Sequence, residues 1–559
     1  MRRILLSALL LLLAAACKDT PTGLEGFGQP RKYAVGDRVT FNVRADSACA
    51  TGRMRTGRVV ALTQRAVVVV DEQNPAGGFT DEEYAGFARQ FDEVVYPVVT
   101  GTFGEPFDVD RNGKVVVFFT SAVNDLTRNE EGSYVGGFFF GRDLFPIKGN
   151  KALGACEGSN ESEIFYMRVP DPARRAFSRE EVKQTTVGVL AHEFQHLVNA
   201  SRRLFVLKVA GEEWNEVVWL NEGLSHIAEE LVFYRASGLA PKRNIDAQTA
   251  LTAPVREPFI LYQQSNFGRL LKYYEDPEAN SPYQTDDDLA TRGAIWHFLR
   301  YAADRHTGDE TALWRTLANS TATGMANLRG ALGTDPLPLF RDWSVAVYAD
   351  DAVAGVPAVY TVPSWHFRSV SAAFRTDRRF PLRVRQLSNG VAQRFDLPGG
   401  GAAYLRFGVA AGGRAEVRVA AETVSTTGTC QAVNLQVGQV YTAPAGPVTV
   451  LCAEGGTTGA EFTVIPFHGT ETASSRLGVS VQATGVVPVL GPPSPSLAPL
   501  GPAVALALPT AREDVAFEAE LRRSEVEQLW HLVPGGSARL TRAAASGPEH
   551  LTVSIMRTK

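Results

Sequence analysis

The chain has 559 residues, with 56 Lys and Arg against 60 Asp and Glu, 45% hydrophobic and 21% charged residues, a profile that excludes an intrinsically disordered or fibrous protein. A formal net charge of -4 is too small to draw the whole molecule onto a polyanion, so nucleic acid is not an expected partner. The 51 Gly and 31 Pro interrupt the sequence too often for one helical bundle, and a chain of this length predicts about three to four domains of mixed architecture.

The basic head Met1-Arg2-Arg3 and the apolar run from Ile4 to Ala16 predict an export signal, because the run falls short of the roughly 20 apolar residues that span a bilayer. Leu13-Ala14-Ala15-Ala16-Cys17 resembles a bacterial lipobox, in which Cys17 is diacylated and becomes the mature N-terminus; an ordinary signal peptide cut nearby is the alternative. The lipobox reading makes 1–16 a lipoprotein signal peptide and 17–33 a lipidated spacer. It implies a body tethered through lipid to a membrane of the bacterial cell envelope, facing away from the cytoplasm, with Lys18 favouring the outer membrane if there are two. Four cysteines remain in a chain expected to leave the reducing cytoplasm. Cys430 and Cys452 flank a short segment with strand-like sides and are paired first, which leaves Cys49 with Cys156. None of the four has the close Cys spacing of thiolate zinc sites.

Short strands are predicted at Arg38–Val43, Arg58–Leu62 and Ala66–Val70, then a helix from Asp81 to Val95. Phe107-Asp108-Val109-Asp110-Arg111-Asn112-Gly113 leads into a β-rich run over 115–120. Its D-x-D-x-N-G spacing is superficially that of a calcium loop, with Asp108, Asp110 and Asn112 as ligands. The twelfth loop position is Phe119 instead of Glu, so an Asx-rich turn is the competing reading. Phe138-Phe139-Phe140 reads as a buried strand in preference to a substrate platform. Ser178-Arg179-Glu180-Glu181 opens a helix with a capping-box pattern, and Val182, Val187, Leu190, Phe194, Leu197 and Val198 continue it at near-helical spacing. Further helices are read from Val217 to Arg235, Leu289 to Arg305, Glu310 to Leu317 and Leu337 to Tyr348. After Trp365 strand-sized pieces alternate with Gly-rich turns, which predicts a β-sandwich over 366–485. A Pro-rich linker follows over 486–502, then a small β-rich segment over 503–559.

The most informative residues are His192-Glu193-Phe194-Gln195-His196. Helical i,i+4 spacing turns both imidazoles the same way, so they can share one zinc ion while Glu193 stands beside the open coordination position. Trp219-Leu220-Asn221-Glu222-Gly223-Leu224-Ser225 follows on a second helix. W-L-N-E-G resembles the segment by which gluzincins, such as the aminopeptidase N group, supply a third zinc ligand from Glu. Together, H-E-F-Q-H and W-L-N-E-G-L-S resemble the hyicolysin-like metallopeptidase family. That resemblance extends over about Tyr33 to Asp351, including Phe107 to Gly113 and Phe340-Arg341-Asp342-Trp343, and says nothing about the chain beyond Trp365.

The resemblance implies that His192, His196 and Glu222 bind zinc and that Glu193 is the general base. It also implies an α+β zincin-like metallopeptidase domain over 34–360; the β-rich, sandwich-like C-terminal domains that follow are read from the residue pattern alone. The function expected is a zinc-dependent endopeptidase acting on protein or peptide. The alternatives are an aminopeptidase, disfavoured by the lack of a G-x-M-E-N string, and a noncatalytic surface-binding lipoprotein, disfavoured by the intact Glu193. Glu216 and Glu229 rival Glu222 if the helix register is shifted. His226, Tyr274, Tyr283, Arg292 and His297 are the candidates for an oxyanion stabiliser. His226 stands where thermolysin-like enzymes carry an acidic residue, four positions after the ligand Glu.

Overall fold

The computed structural model of the protein describes residues 26–127, 133–421, 428–444, 448–493, 496, 512–513, 524–525, 527–534 and 550–559. Cys17 and the predicted signal sequence lie outside them. The fold is α+β, with several β-sheets in the C-terminal region.

The valine-rich and aromatic runs form the first sheet. Its strands are β1 (Arg38–Asn42), β2 (Met54–Leu62), β3 (Ala66–Asp71) and β4 (Val115–Phe119), followed by β5 (Ser133–Tyr134), which lies outside this sheet, β6 (Gly137–Phe139) and β7 (Ile164–Met167). Their spatial order is β1-β2-β3-β4-β7-β6, with parallel pairing in the centre (β3 with β4, β4 with β7) and antiparallel pairing at the sides. All five residues of β4 are buried, as expected of a central strand covered on both faces. Phe119 packs on Tyr84 and Phe87 of the helix Asp81–Gln90, while Phe118 points the other way, toward Phe41 and Tyr166. The Phe138–Phe140 run is buried at the β6 side of the sheet, with Phe138 stacked on Tyr166.

Two long helices follow. The first, Arg179–Ser201, starts at Ser178, whose hydroxyl accepts from Glu181 N at 3.4 Å, and packs against β6 and β7. The second, Val218–Ser237, crosses the first and also packs on Leu289–Arg305. Gly223 permits that second contact, because a Cβ there would lie 2.8 Å from both Ile295 and Leu299. Helix Leu289–Arg305 in turn presses on helix Gln264–Glu275 at Gly293, where a Cβ would meet Leu270 N at 2.3 Å.

Beyond residue 384 the chain forms β8 (Arg385–Gln386), β9 (Ala392–Pro398), β10 (Leu405–Val409), β11 (Arg414–Ala421), β12 (Cys430–Val433), β13 (Val440–Pro444), β14 (Val448–Glu454), β15 (Ala460–His468) and β16 (Arg476–Thr484). Two further strands, β17 (Arg512–Glu513) and β18 (Leu551–Arg557), come later. Two five-stranded sheets result, ordered β13-β18-β15-β10-β8 and β12-β14-β11-β16-β9. Their alternating inward residues, such as Val417, Val419, Val479 and Val481, make a second core. Cys49 is joined to Cys156 and Cys430 to Cys452. None of the described helices is long and apolar enough to cross a membrane.

Two boundaries differ from the sequence reading. The change of composition at Trp365 does not end the first core. Trp365 donates to Glu230 at 2.6 Å, and Phe367, Phe374 and Leu382 continue the same apolar cluster. Of the final segment, the described residues 529, 533 and 551–557 join the two units already formed. β18 lies between β13 and β15 in the sandwich, and Leu529 and Val533 are buried in the first core. Strand-like composition marks β18 as a strand but carries no information about which sheet it joins.

Gly293→Ala should lower stability by about 1–3 kcal/mol, since backbone atoms of the facing helix, and not a flexible side-chain end, receive the added methyl. Urea unfolding followed by tryptophan fluorescence measures the change; an unchanged midpoint would mean that the two helices separate freely.

Candidate metal centre

The crossing of the Arg179–Ser201 and Val218–Ser237 helices gathers the residues that the two motifs single out. His192 Nε2 lies 3.2 Å from Glu222 Oε2, and His196 Nε2 lies 3.4 Å from Glu222 Oε1. The two Nε2 atoms are 3.0 Å apart. The donors of all three residues fall within 4.8 Å of one another, and all three are buried. Two imidazoles and one carboxylate are a donor set suited to zinc, so these residues fit such an ion.

Each imidazole is also held from behind. His192 Nδ1 meets Glu229 Oε1 at 2.7 Å, and His196 Nδ1 meets Ser225 Oγ at 3.0 Å. Hydrogen bonds of this kind fix the ring orientation and direct Nε2 toward the shared point. Glu222, Ser225, His226 and Glu229 form a polar stripe along one face of this helix. Glu229 further contacts His226 Nδ1 at 3.1 Å and Arg269 Nη1 at 3.4 Å. Arg292 reaches Glu222 Oε2 at 3.1 Å and is itself held by Asp287 at 2.8 Å.

The electrostatics follow from this burial and pairing. Burial opposes a charge on His192, yet hydrogen bonds to Glu222 and Glu229 overcome it and raise its pKa to about 10. Burial likewise opposes the charge on Glu229, but Arg269 and the two histidines hold its carboxyl well below the usual carboxylate range. His226, desolvated and facing Arg269, is lowered to about 4, so it is neutral at pH 7.

Glu193, next to His192 on the same helix, has its Oε2 accepting from Phe139 N of β6 at 2.8 Å. The sheet thus fixes the carboxylate that the helix presents. Glu216 is occupied elsewhere, accepting from Gly324 N at 2.8 Å and Asn327 Nδ2 at 2.7 Å. Of the five candidate oxyanion stabilisers, Arg292 and His226 join this network. Tyr283 donates to Thr470 O at 2.6 Å, and Tyr274 Oη lies 3.4 Å from His297 Nδ1. Sequence reasoning weighed Glu229 only as a rival ligand and missed Arg269 and Ser225. The signal for Ser225 and Glu229 was their spacing from Glu222, three and seven residues on, which keeps them on one helical face.

Around Asp108, Asp110 and Asn112 the loop is tied by its own hydrogen bonds. Asp108 accepts from Asn112 N and Gly113 N, both at 3.0 Å, and Asn112 Oδ1 turns back to Lys114 N at 2.6 Å. This is the Asx-rich turn, with the Asn112 oxygen spent on the backbone.

No family model matches the chain. Over 152 residues it is 34% identical to the neutral metalloprotease ShpI of Staphylococcus hyicus, a stretch that makes up 27% of this chain and 31% of that protein. The chain therefore spans about a third of the length of the curated relative it matches.

Arg269→Met should destabilise the metal-free protein by about 3 kcal/mol or more, because it removes the cation facing a buried carboxylate. Denaturant unfolding in the presence of a chelator measures this; a loss below 1 kcal/mol would mean that the histidines alone neutralise Glu229.

Proposed function

We propose that the protein is a zinc-dependent endopeptidase with His192, His196 and Glu222 as metal ligands and Glu193 as general base. The observation that carries this reading is the convergence of these three donors within 4.8 Å, with the Glu193 carboxylate anchored beside them. The partial likeness to a protein named as a neutral metalloprotease supports a metal-dependent protease in general.

Bound to these residues, zinc would polarise a peptide carbonyl and lower the pKa of water at the open position. Glu193 accepts the proton of the attacking water and returns it to the departing amine. Phe139 N holds one carboxylate oxygen and so orients the group for that transfer. Glu229 and Ser225 orient the two imidazoles. Arg292, in contact with Glu222, is the nearby cation best placed to offset the negative charge that develops on the substrate oxygen. An extended polypeptide in an envelope compartment is the substrate class this chemistry serves. Anchoring through a lipidated Cys17 is part of the same proposal and rests on the N-terminal sequence.

Glu193→Gln should keep zinc while turnover of labelled casein falls by about 10²–10⁴-fold, because an amide cannot accept the proton. Glu222→Ala should lose the metal itself. Metal analysis alongside the casein assay checks both; full zinc occupancy in Glu222→Ala, with loss in Glu216→Ala or Glu229→Ala, would overturn the ligand assignment. For the anchor, Cys17→Ala should move the protein from the membrane to the soluble fraction, and unchanged membrane retention would refute lipidation there.

A further inference from the structure

A second group of carboxylates lies apart from the histidine centre, and none of the chemistry described above uses it. Asp108 and Asp110 come from the loop before β4, and Glu163 immediately precedes β7. The ligand oxygens of all three lie within 4.8 Å of one another. Asp110 and Glu163 are only 4% and 2% exposed, in a place where a charge needs a partner.

The hydrogen bonds leave a specific deficit. Glu163 Oε1 accepts from Val109 N at 2.6 Å, and Asp110 Oδ2 accepts from Ser162 Oγ at 2.9 Å. The other oxygen of each carboxylate, Glu163 Oε2 and Asp110 Oδ1, is buried with no hydrogen-bond partner. Of the loop's two cations, Lys114 turns its ammonium away to the carbonyls of Thr63 and Gln64, and Arg111 donates to Gly28 O. Arg31 acts on Asp110 from one side. Burial, with the charge of Asp108 adding to it, still pushes the Asp110 carboxyl up to about 7. A cavity of about 180 Å³, lined by Glu105, Phe107, Asp108, Gly113, Lys114 and Glu163 among others, opens beside the group and gives a small ion a way in.

We propose that Asp108, Asp110 and Glu163 bind a calcium ion, which fastens the loop before β4 to the head of β7. All-oxygen, carboxylate-rich donors select a hard cation over zinc, and a site assembled from a loop with an adjoining cavity for water suits the loose, high coordination number of calcium better than the strict octahedron of magnesium. Glu163 takes the place the sequence pattern gave to Asn112. The loop also reaches the zinc-site helix: Phe107 N donates to Ser201 Oγ at 2.7 Å, and Phe107 stacks on Phe205 at 4.7 Å. The ion thus braces the far end of the helix that carries His192 and His196, without touching either residue.

The test uses the full chain stripped with chelator, reloaded with one equivalent of zinc and titrated with calcium chloride in a calorimeter. Metal content and thermal unfolding are followed on the same samples. One calcium per chain should bind, and it should raise the unfolding temperature. Glu163→Gln and Asp110→Asn are near-isosteric. Each should weaken calcium binding by about tenfold or more, abolish the calcium-dependent rise in unfolding temperature and leave zinc content unchanged. Zinc retention separates this outcome from any failure of the peptidase reading. No calcium binding by the parent chain, unchanged calcium affinity in both variants, or magnesium binding as tightly as calcium would each overturn the proposal. If a variant fails to fold, the parent's calcium-dependent shift and the other variant still decide.

Discussion

Glu222 sits buried between two imidazoles on one side and a guanidinium on the other, and the surrounding helices are arranged to keep it there. A carboxylate in that position is tolerable only while His192, His196 and Arg292 remain within about 3 Å, because an unpaired buried charge costs several kcal/mol. That requirement sets the crossing of the two long helices and, through Gly223 and Gly293, the close approach of the two helices behind them. The layer that supplies Arg269 and Arg292 is therefore part of the candidate metal centre, although it lies 40 or more residues further along the chain.

The legible part of this arrangement is what repeats along one helix. His192 and His196 announce themselves by i,i+4 spacing, and Glu222 by the motif around it. The strand assignments for β3 and β4 follow from runs of Val and Phe that have no polar face to offer solvent. Contacts between segments distant in sequence were not legible. Glu229 could have been seen to share the face of Glu222, but that it meets His192 depends on the angle at which the helices cross. Asn112 fitted a liganding pattern in one dimension; in three, its oxygen accepts from Lys114 N, and Glu163 arrives from the residue just before β7.

Domain limits show the same division. Composition changes at Trp365, yet that indole is tied to Glu230 and surrounded by the aromatic rings of the first core. The sandwich is docked on the helical layer through Tyr283 to Thr470, Tyr404 to Ser344 and Arg385 to Glu278. These polar bridges are local complements to surfaces already folded, and neither partner carries a sequence signature of the other.

The path of the chain after β16 couples the two units in time as well as in space. It leaves the sandwich, lodges Leu529 and Val533 in the first core, and returns to insert β18 between β13 and β15. During synthesis, both neighbours of β18 must therefore wait with unsatisfied edges until residues 551–557 have been made. Such edges are the surfaces most exposed to wrong partners. The sandwich is thus the half of the molecule of which an inner strand, β18, is the last to be made.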